Sequence, residues 1–264
     1  MPDTPTLTGT APRPSATLRD TLTLTSRSLR LTARNLDAIF SGMLLPIILL
    51  LLFVYLLGGA IHTGISYVTY VVPGVALLCA GYIAAQTAIS VNHDLTGGVI
   101  DRFRSMDISG VALLTGHVVA CVLRDIASTI LVFGVAFAIG FHAHASPLDW
   151  LAASGILVLY MAAISWVAAA IGLLTKSPEG AGNATFIMMF LPYLSGAFVP
   201  ISSMPTWIRG FAAHEPLSPV INSFRGLLLH EPIGQNSLIA VAWCAGIMLA
   251  ATLAASLLFR RHAE

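Results

Sequence analysis

Residues 38–60 read AIFSGMLLPIILLLLFVYLLGGA, with no charged side chain anywhere in the run. A helix needs about 20 mainly apolar residues to cross the hydrocarbon of a bilayer. A spanning strand would instead show segments of about ten residues with alternating polarity. The central run IILLLL, residues 47–52, does not alternate. The stretch therefore reads as a membrane-crossing helix, interrupted at Pro46, and it sets the reading of everything around it.

Five further apolar runs follow, over residues 67–91, 118–141, 151–174, 184–201 and 238–259. The composition agrees: of 264 residues, 56% are hydrophobic and only 9% charged, with a mean hydropathy of +0.85. A soluble domain carries about 25% charged residues, so a soluble enzyme and a disordered chain are excluded. A nucleic-acid partner is excluded too, because no basic patch exists to meet phosphates. Cys79, Cys121 and Cys244 all fall in apolar stretches and read as small core residues. The first apolar run starts only at Ala38, too far from the N-terminus for a cleavable signal. The fold expected is an all-α polytopic membrane protein with six transmembrane helices in residues 38–262.

Orientation follows from the basic residues. With six crossings, one side collects Arg13, Arg19, Arg27, Arg30, Arg34, Arg102, Arg104, Lys176, Arg260 and Arg261, and the other only Arg209 and Arg225. The positive-inside rule places both termini in the cytoplasm.

Three segments neither cross nor look like plain loops. Residues 1–15 read as a disordered leader, and residues 16–37 as an amphipathic helix lying in the inner interface. On a helical wheel from Arg19, Arg27, Arg30 and Arg34 fall within about 80° of one another, beside a broad leucine and threonine face. The cytoplasmic stretch 92–109, NHDLTGGVIDRFRSMDIS, breaks at Gly97-Gly98 and then sets Val99, Phe103 and Met106 on one helical face. Asp101, Arg102 and Arg104 point elsewhere. An apolar ridge with a charged flank suits docking into a groove of another protein. On the outer side, residues 202–236 hold two short amphipathic helices, 205–213 and 219–229, each with proline near its start. Both are too short to cross and read as re-entrant or interfacial.

Inside the spans only Arg124 and Asp125 form an adjacent pair of opposite charges. Residues one apart on a helix diverge by about 100°, so they do not simply neutralise each other. Two placements stay open. Either the pair faces the bundle interior as a gate or coupling element, or Arg124 snorkels to the inner headgroups while Asp125 bonds a neighbouring helix. His142, His144, His214 and His230 lie on the outer side without an acidic or thiol ligand nearby, so no metal site is expected. No phosphate-cradling glycine loop exists, since Thr175-Lys176-Ser177 lacks it, and no catalytic set is present.

This order of parts resembles the membrane subunit of type-2 ABC exporters, in the daunorubicin-resistance permease branch. The stretch Asp94 to Met106, DLTGGVIDRFRSM, looks like that family's acidic, glycine and Arg-Leu-Arg-Ser coupling motif. The stretch 198–209, FVPISSMPTWIR, with Glu215-Pro-Leu-Ser-Pro219 and Arg225-Gly-Leu-Leu228, is similar to its signature before the last span. Asp107 departs from the proline common at the end of the coupling motif, and Glu215 stands where many relatives carry asparagine.

The resemblance implies a permease that homodimerises in the lipid bilayer and pairs with separate ATPase subunits. Those subunits would hold ATP and Mg, and this chain would bind no cofactor and have no ATPase site of its own. Asp94, Gly98, Val99, Asp101, Arg102, Phe103, Arg104 and Met106 would couple it to the ATPase. By the same analogy Phe40, Met43, Phe53, Phe186, Met188, Met189, Phe190 and Tyr193 are candidates for a substrate path. The expected cargo is a hydrophobic small molecule, drug-like or lipid-like. Export of a lipid-linked glycan and an ATP-independent secondary transporter are the alternatives, the latter weakened by the scarcity of charges within the spans.

Overall fold

The computed structural model describes residues 23, 25–26, 36–61, 63–98, 110–230 and 232–261. Among them every regular element is helical. In chain order these are α1 (Leu36–Leu52), α2 (Tyr67–Thr96), α3 (Gly110–Ala138), α4 (Pro147–Leu174), α5 (Pro178–Phe190), α6 (Thr206–His214), α7 (Leu217–Leu229) and α8 (Asn236–Arg261). The arginines expected on the interfacial helix, Arg19, Arg27, Arg30 and Arg34, lie outside the described residues.

Four helices are long and apolar enough to cross a membrane: α2, α3, α4 and α8. The first expected span is a 17-residue helix that passes straight into a five-residue π turn, Phe53–Leu57. Pro46 sits inside the helical part and lacks the N–H that would bond to residue 42.

The fifth expected span differs from its reading as 184–201. Its helix starts earlier, because Ser177 caps it by accepting from the Gly180 N–H at 3.1 Å, with Pro178 at the first helical position. It also stops earlier. Pro192 lacks the N–H that would continue the ladder, and residues Leu191–Leu194 tighten into a 3-10 turn. α5 is thus 13 residues long, about 20 Å of rise against about 30 Å of hydrocarbon.

The third expected span also begins earlier, at Gly110 rather than 118. Thr115 and His117 interrupt the apolar run but not the helix: Thr115 returns its hydroxyl to the Val111 carbonyl at 2.7 Å. Of the two short outer helices, α7 starts at Leu217, two residues before the position that Ser218 and Pro219 suggest. The Ser218 hydroxyl is spent on the Ala212 carbonyl instead of a cap.

The bundle is organised around α2, which packs against α1, α3, α4, α5 and α7 and is buried along most of its length. α8 lies outside α4 and α7, exposing Leu238, Leu249, Leu253 and Leu257. The α2–α4 crossing depends on Gly172, where a Cβ would stand 2.5 Å from the Ala88 carbonyl oxygen. That oxygen is backbone and cannot swing aside, so Gly172→Val is expected to cost ~1–3 kcal/mol. A fall in the thermal midpoint of the purified protein, with loss of the monodisperse peak on gel filtration, would show it.

Candidate functional site

Sequence-derived candidates fall into three groups. At the end of α2, the first stem of the 92–109 stretch is fastened to α3 and α4. Asn92, fully buried near the end of α2, donates from Nδ2 to the carbonyls of Gly172 (3.0 Å) and Thr175 (2.5 Å) at the end of α4. Two residues on, Asp94 Oδ2 accepts from His117 Nε2 of α3 at 3.1 Å, in a nearly buried pair. Gly97 then closes α2, its N–H donating to the His93 carbonyl. Gly98 adopts φ +70°, a conformation that costs glycine nothing and a side chain a good deal. Val99, Asp101, Arg102, Phe103, Arg104 and Met106 lie outside the described residues. Asn92 and His117 escaped the sequence reading, because their partners lie 80 and 23 residues away.

The second group is intramembrane. Arg124 and Asp125 stand near the middle of α3, about four turns from its start. Arg124 reaches toward α2, where Nη2 donates to Thr87 Oγ1 at 3.1 Å. Asp125 is completely buried. Its Oδ2 lies 3.8 Å from Cys121 Sγ on the preceding turn, and Ser165 Oγ of α4 lies 3.1 Å beyond that sulfur. Asp125 Oδ1 makes no hydrogen bond among the described residues. The pair therefore sits in a small polar seam that joins α2, α3 and α4 within an apolar bundle.

The third group is aromatic. Phe53 stacks on Phe198 with ring centroids 4.6 Å apart, Tyr193 stacks on Phe198 at 4.9 Å, and Phe53 and Tyr193 meet each other at 6.2 Å, so the three rings close a triangle. Phe190 adjoins Tyr193 at 5.9 Å, and Phe186 adjoins Phe190 at 4.8 Å. Phe53, Phe186, Phe190 and Tyr193 thus come together in one row along α1 and α5, joined by Phe198, which the sequence reading left out. Met188 instead faces the core, and Met189 is half-buried. The side chains of Phe40 and Met43 lie outside the described residues.

Beside the outer end of that row is a knot that the charge pattern did not reveal. Arg225, counted from sequence as an outer-face charge, tucks inward from α7. Its guanidinium lies 3.8 Å from the centre of the Tyr70 ring, and Nη2 donates to the carbonyls of Tyr70 (3.1 Å) and Gly196 (3.0 Å). The Tyr70 hydroxyl donates to the same Gly196 carbonyl at 2.8 Å, and Tyr67 does so to that of Phe198 at 3.1 Å. The turn after α5 is thus hung from α2 and α7.

In the turn between α6 and α7, Glu215 is buried, with only a long contact from Ser218 (3.4 Å) to Oε1. Burial pushes its carboxyl up to about 7, the Ser218 hydroxyl opposing this weakly. The folded-state value lies above the ordinary 4.5, so the folded protein holds a proton that the unfolded chain has already released. Stability is then expected to fall as pH rises from about 5 to 7. Thermal midpoints measured across that window should decline in the natural protein, and Glu215→Gln should flatten the slope.

The chain that forms this apolar bundle, with its pair of short helices and its fastened end of α2, has its match in a known family. The family model described as ABC-2 type transporter matches residues 19–229. The chain belongs to the ABC-2 type transporter family. It is a multi-pass membrane protein, and the resemblance carried by the loop and by the signature before the last span holds. Among curated relatives, this ABC-2 chain is 30% identical over 177 residues to the daunorubicin resistance ABC transporter permease protein DrrB1 of Streptomyces coeruleorubidus. That alignment covers 66% of this chain and 62% of the relative, which is less than two thirds of the relative's length. It is also 23% identical over 243 residues to the probable doxorubicin resistance ABC transporter permease protein DrrC of Mycobacterium tuberculosis, covering 91% of this chain and 88% of the relative.

Proposed function

We propose that this ABC-2 chain is the permease subunit of an ATP-driven exporter in a bacterial cytoplasmic membrane. Two copies form the path, and separate ATPase subunits, which hold ATP and Mg, dock on residues 99–106. α1 with its π turn and α5 with the 3-10 turn that continues it complete six crossings with α2, α3, α4 and α8, both termini lie in the cytoplasm, and α6 and α7 cap the outer face. The cargo is a hydrophobic small molecule, in line with the daunorubicin and doxorubicin named for the two relatives.

The observation that supports this reading best is the fastening of the loop's first stem. Asn92 ties the end of α2 to α4, and the Asp94–His117 contact ties it to α3. A displacement of residues 99–106 by a closing ATPase is then delivered to three helices at once, and a two-state bundle biased from one end needs such a connection.

The test is co-expression and co-purification with an ABC ATPase subunit from the same organism. Phe103→Ala combined with Arg104→Ala is expected to reduce complex recovery and transport-linked ATP hydrolysis by about tenfold or more, the ordinary effect of truncating an anchor residue in an interface. Unchanged recovery and hydrolysis would refute the assignment.

A further inference from the structure

Little of the molecule covers α6. It packs on the turn Ile201–Ser203 and on α7, and of its nine residues Ala212 alone is buried. Trp207 is 81% exposed, the most of any large apolar side chain among the described residues, and Phe211 is 52% exposed. Four residues apart, the two rings stand on one side of the helix. Ala212 marks the side turned to the protein. Arg209 is two residues from each ring, so it falls on the flank opposite them.

The bonds before and after α6 fix its level in the bundle. Before it, the carbonyls of Phe198 and Gly196 accept from Tyr67 and Tyr70, in the first turn of α2. After it, α7 ends where the Leu228 carbonyl accepts from the His144 N–H at 3.0 Å. There His230 Nδ1 also lies 2.9 Å from Oδ2 of Asp149, in the first turn of α4. α2 and α4 both begin at this end, and each is long and apolar enough to cross a membrane. α6 is thus strung between two points at the level where spans enter the bilayer, the depth at which tryptophan collects.

Arg209 adds the charge. Its Nη2 donates to the carbonyls of Ser202 (2.8 Å) and Met204 (2.9 Å), which pins the guanidinium. Nη1 and Nε are left without a bond among the described residues, and α6 carries no acidic side chain. Rings on one side and a pinned cation on the other suit a helix lying in the interface, with the rings toward acyl chains and the fork toward phosphate.

We propose that α6 is a binding surface for anionic phospholipid. It lies in the headgroup layer, Trp207 and Phe211 reach down to the acyl boundary, and Arg209 meets a lipid phosphate. This requires only that the chain crosses the membrane, so it stands or falls apart from the exporter reading.

The test is tryptophan fluorescence of the full chain in nanodiscs of phosphatidylcholine with a minor share of phosphatidylglycerol. Subtracting the emission of the Trp207→Phe variant from that of the natural chain isolates Trp207 from Trp150, Trp166 and Trp243. Bromine near the glycerol end of the acyl chains is expected to quench this signal strongly, bromine at the chain ends less, and aqueous iodide hardly at all. Brominated phosphatidylglycerol should match the quenching by brominated phosphatidylcholine at about a fivefold lower mole fraction, the worth of one arginine at an anionic surface. Arg209→Gln should abolish that preference and leave the depth profile unchanged. Strong quenching by iodide, which marks a water-facing helix, overturns the proposal. Stronger quenching from the chain ends marks a re-entrant helix and overturns it too. So does equal potency of the two lipids, or a loss of lipid quenching in discs that hold two copies, which gives the face to a second copy of the chain.

Discussion

Arg225→Met is expected to cost this ABC-2 protein ~4 kcal/mol of stability, from the loss of charge-assisted bonds and of a cation–π contact. The guanidinium takes the carbonyls of Tyr70 and Gly196 and lies against the Tyr70 ring. Methionine fills much the same space and donates nothing, so the Tyr70 carbonyl loses the bond that Arg225 gives it. Gly196 keeps the Tyr70 hydroxyl, which is why the effect should stop short of complete unfolding. Arg225→Lys should recover only part of the loss, because an ammonium is a point donor and cannot reproduce the flat fork that bonds and stacks together. Thermal midpoints in detergent or nanodiscs measure both. A methionine variant as stable as the natural protein would show that the knot contributes nothing.

Arg124→Ala is the second large effect. Asp125 is wholly buried, and Arg124 is the cation whose field reaches it. Removing that cation takes away the charged donor to Thr87 and the favourable field on a wholly buried carboxyl, at ~1.5–3 kcal/mol. The same reasoning makes the double variant milder than the single one: Arg124→Ala with Asp125→Asn should regain most of the lost stability. The interaction energy from the double-mutant cycle separates a true coupling from two unrelated defects. Strict additivity of the two variants would show that the charges act independently, and the polar seam would then have to be explained by Thr87, Cys121 and Ser165 alone.

How much of this was legible in the sequence depended on the range of the interactions. Hydropathy is a local property, so α2, α4 and α8 lie close to where their apolar runs predict. Proline and serine chemistry is also local, yet the reading of 184–201 as one span passed over it. Ser177-Pro178 and Pro192 are the residues that move and shorten α5. The aromatic row could be foreseen in part: Phe186, Phe190 and Tyr193 recur at near-helical spacing, but Phe198 joins only because the chain turns back after Leu194. Charge counting went furthest astray at Arg225. The count of spans made it a plain surface charge, but its partners are the carbonyls of Tyr70 and Gly196, which carry no signature in a one-dimensional pattern. His117 was hidden in the same way, since only the pairing of two helix ends brings it to Asp94.

The burial of α2 bears on how this chain can diverge. A helix enclosed by five others has no side on which bulk can be gained or lost freely, whereas α8 turns much of its surface outward. Descendants of this sequence should accept exchanges among Leu, Ile, Val and Phe along α8 almost without selection. Along α2 they should be held to nearly the same volume at each position. Change would then accumulate on the periphery while the central helix stays fixed.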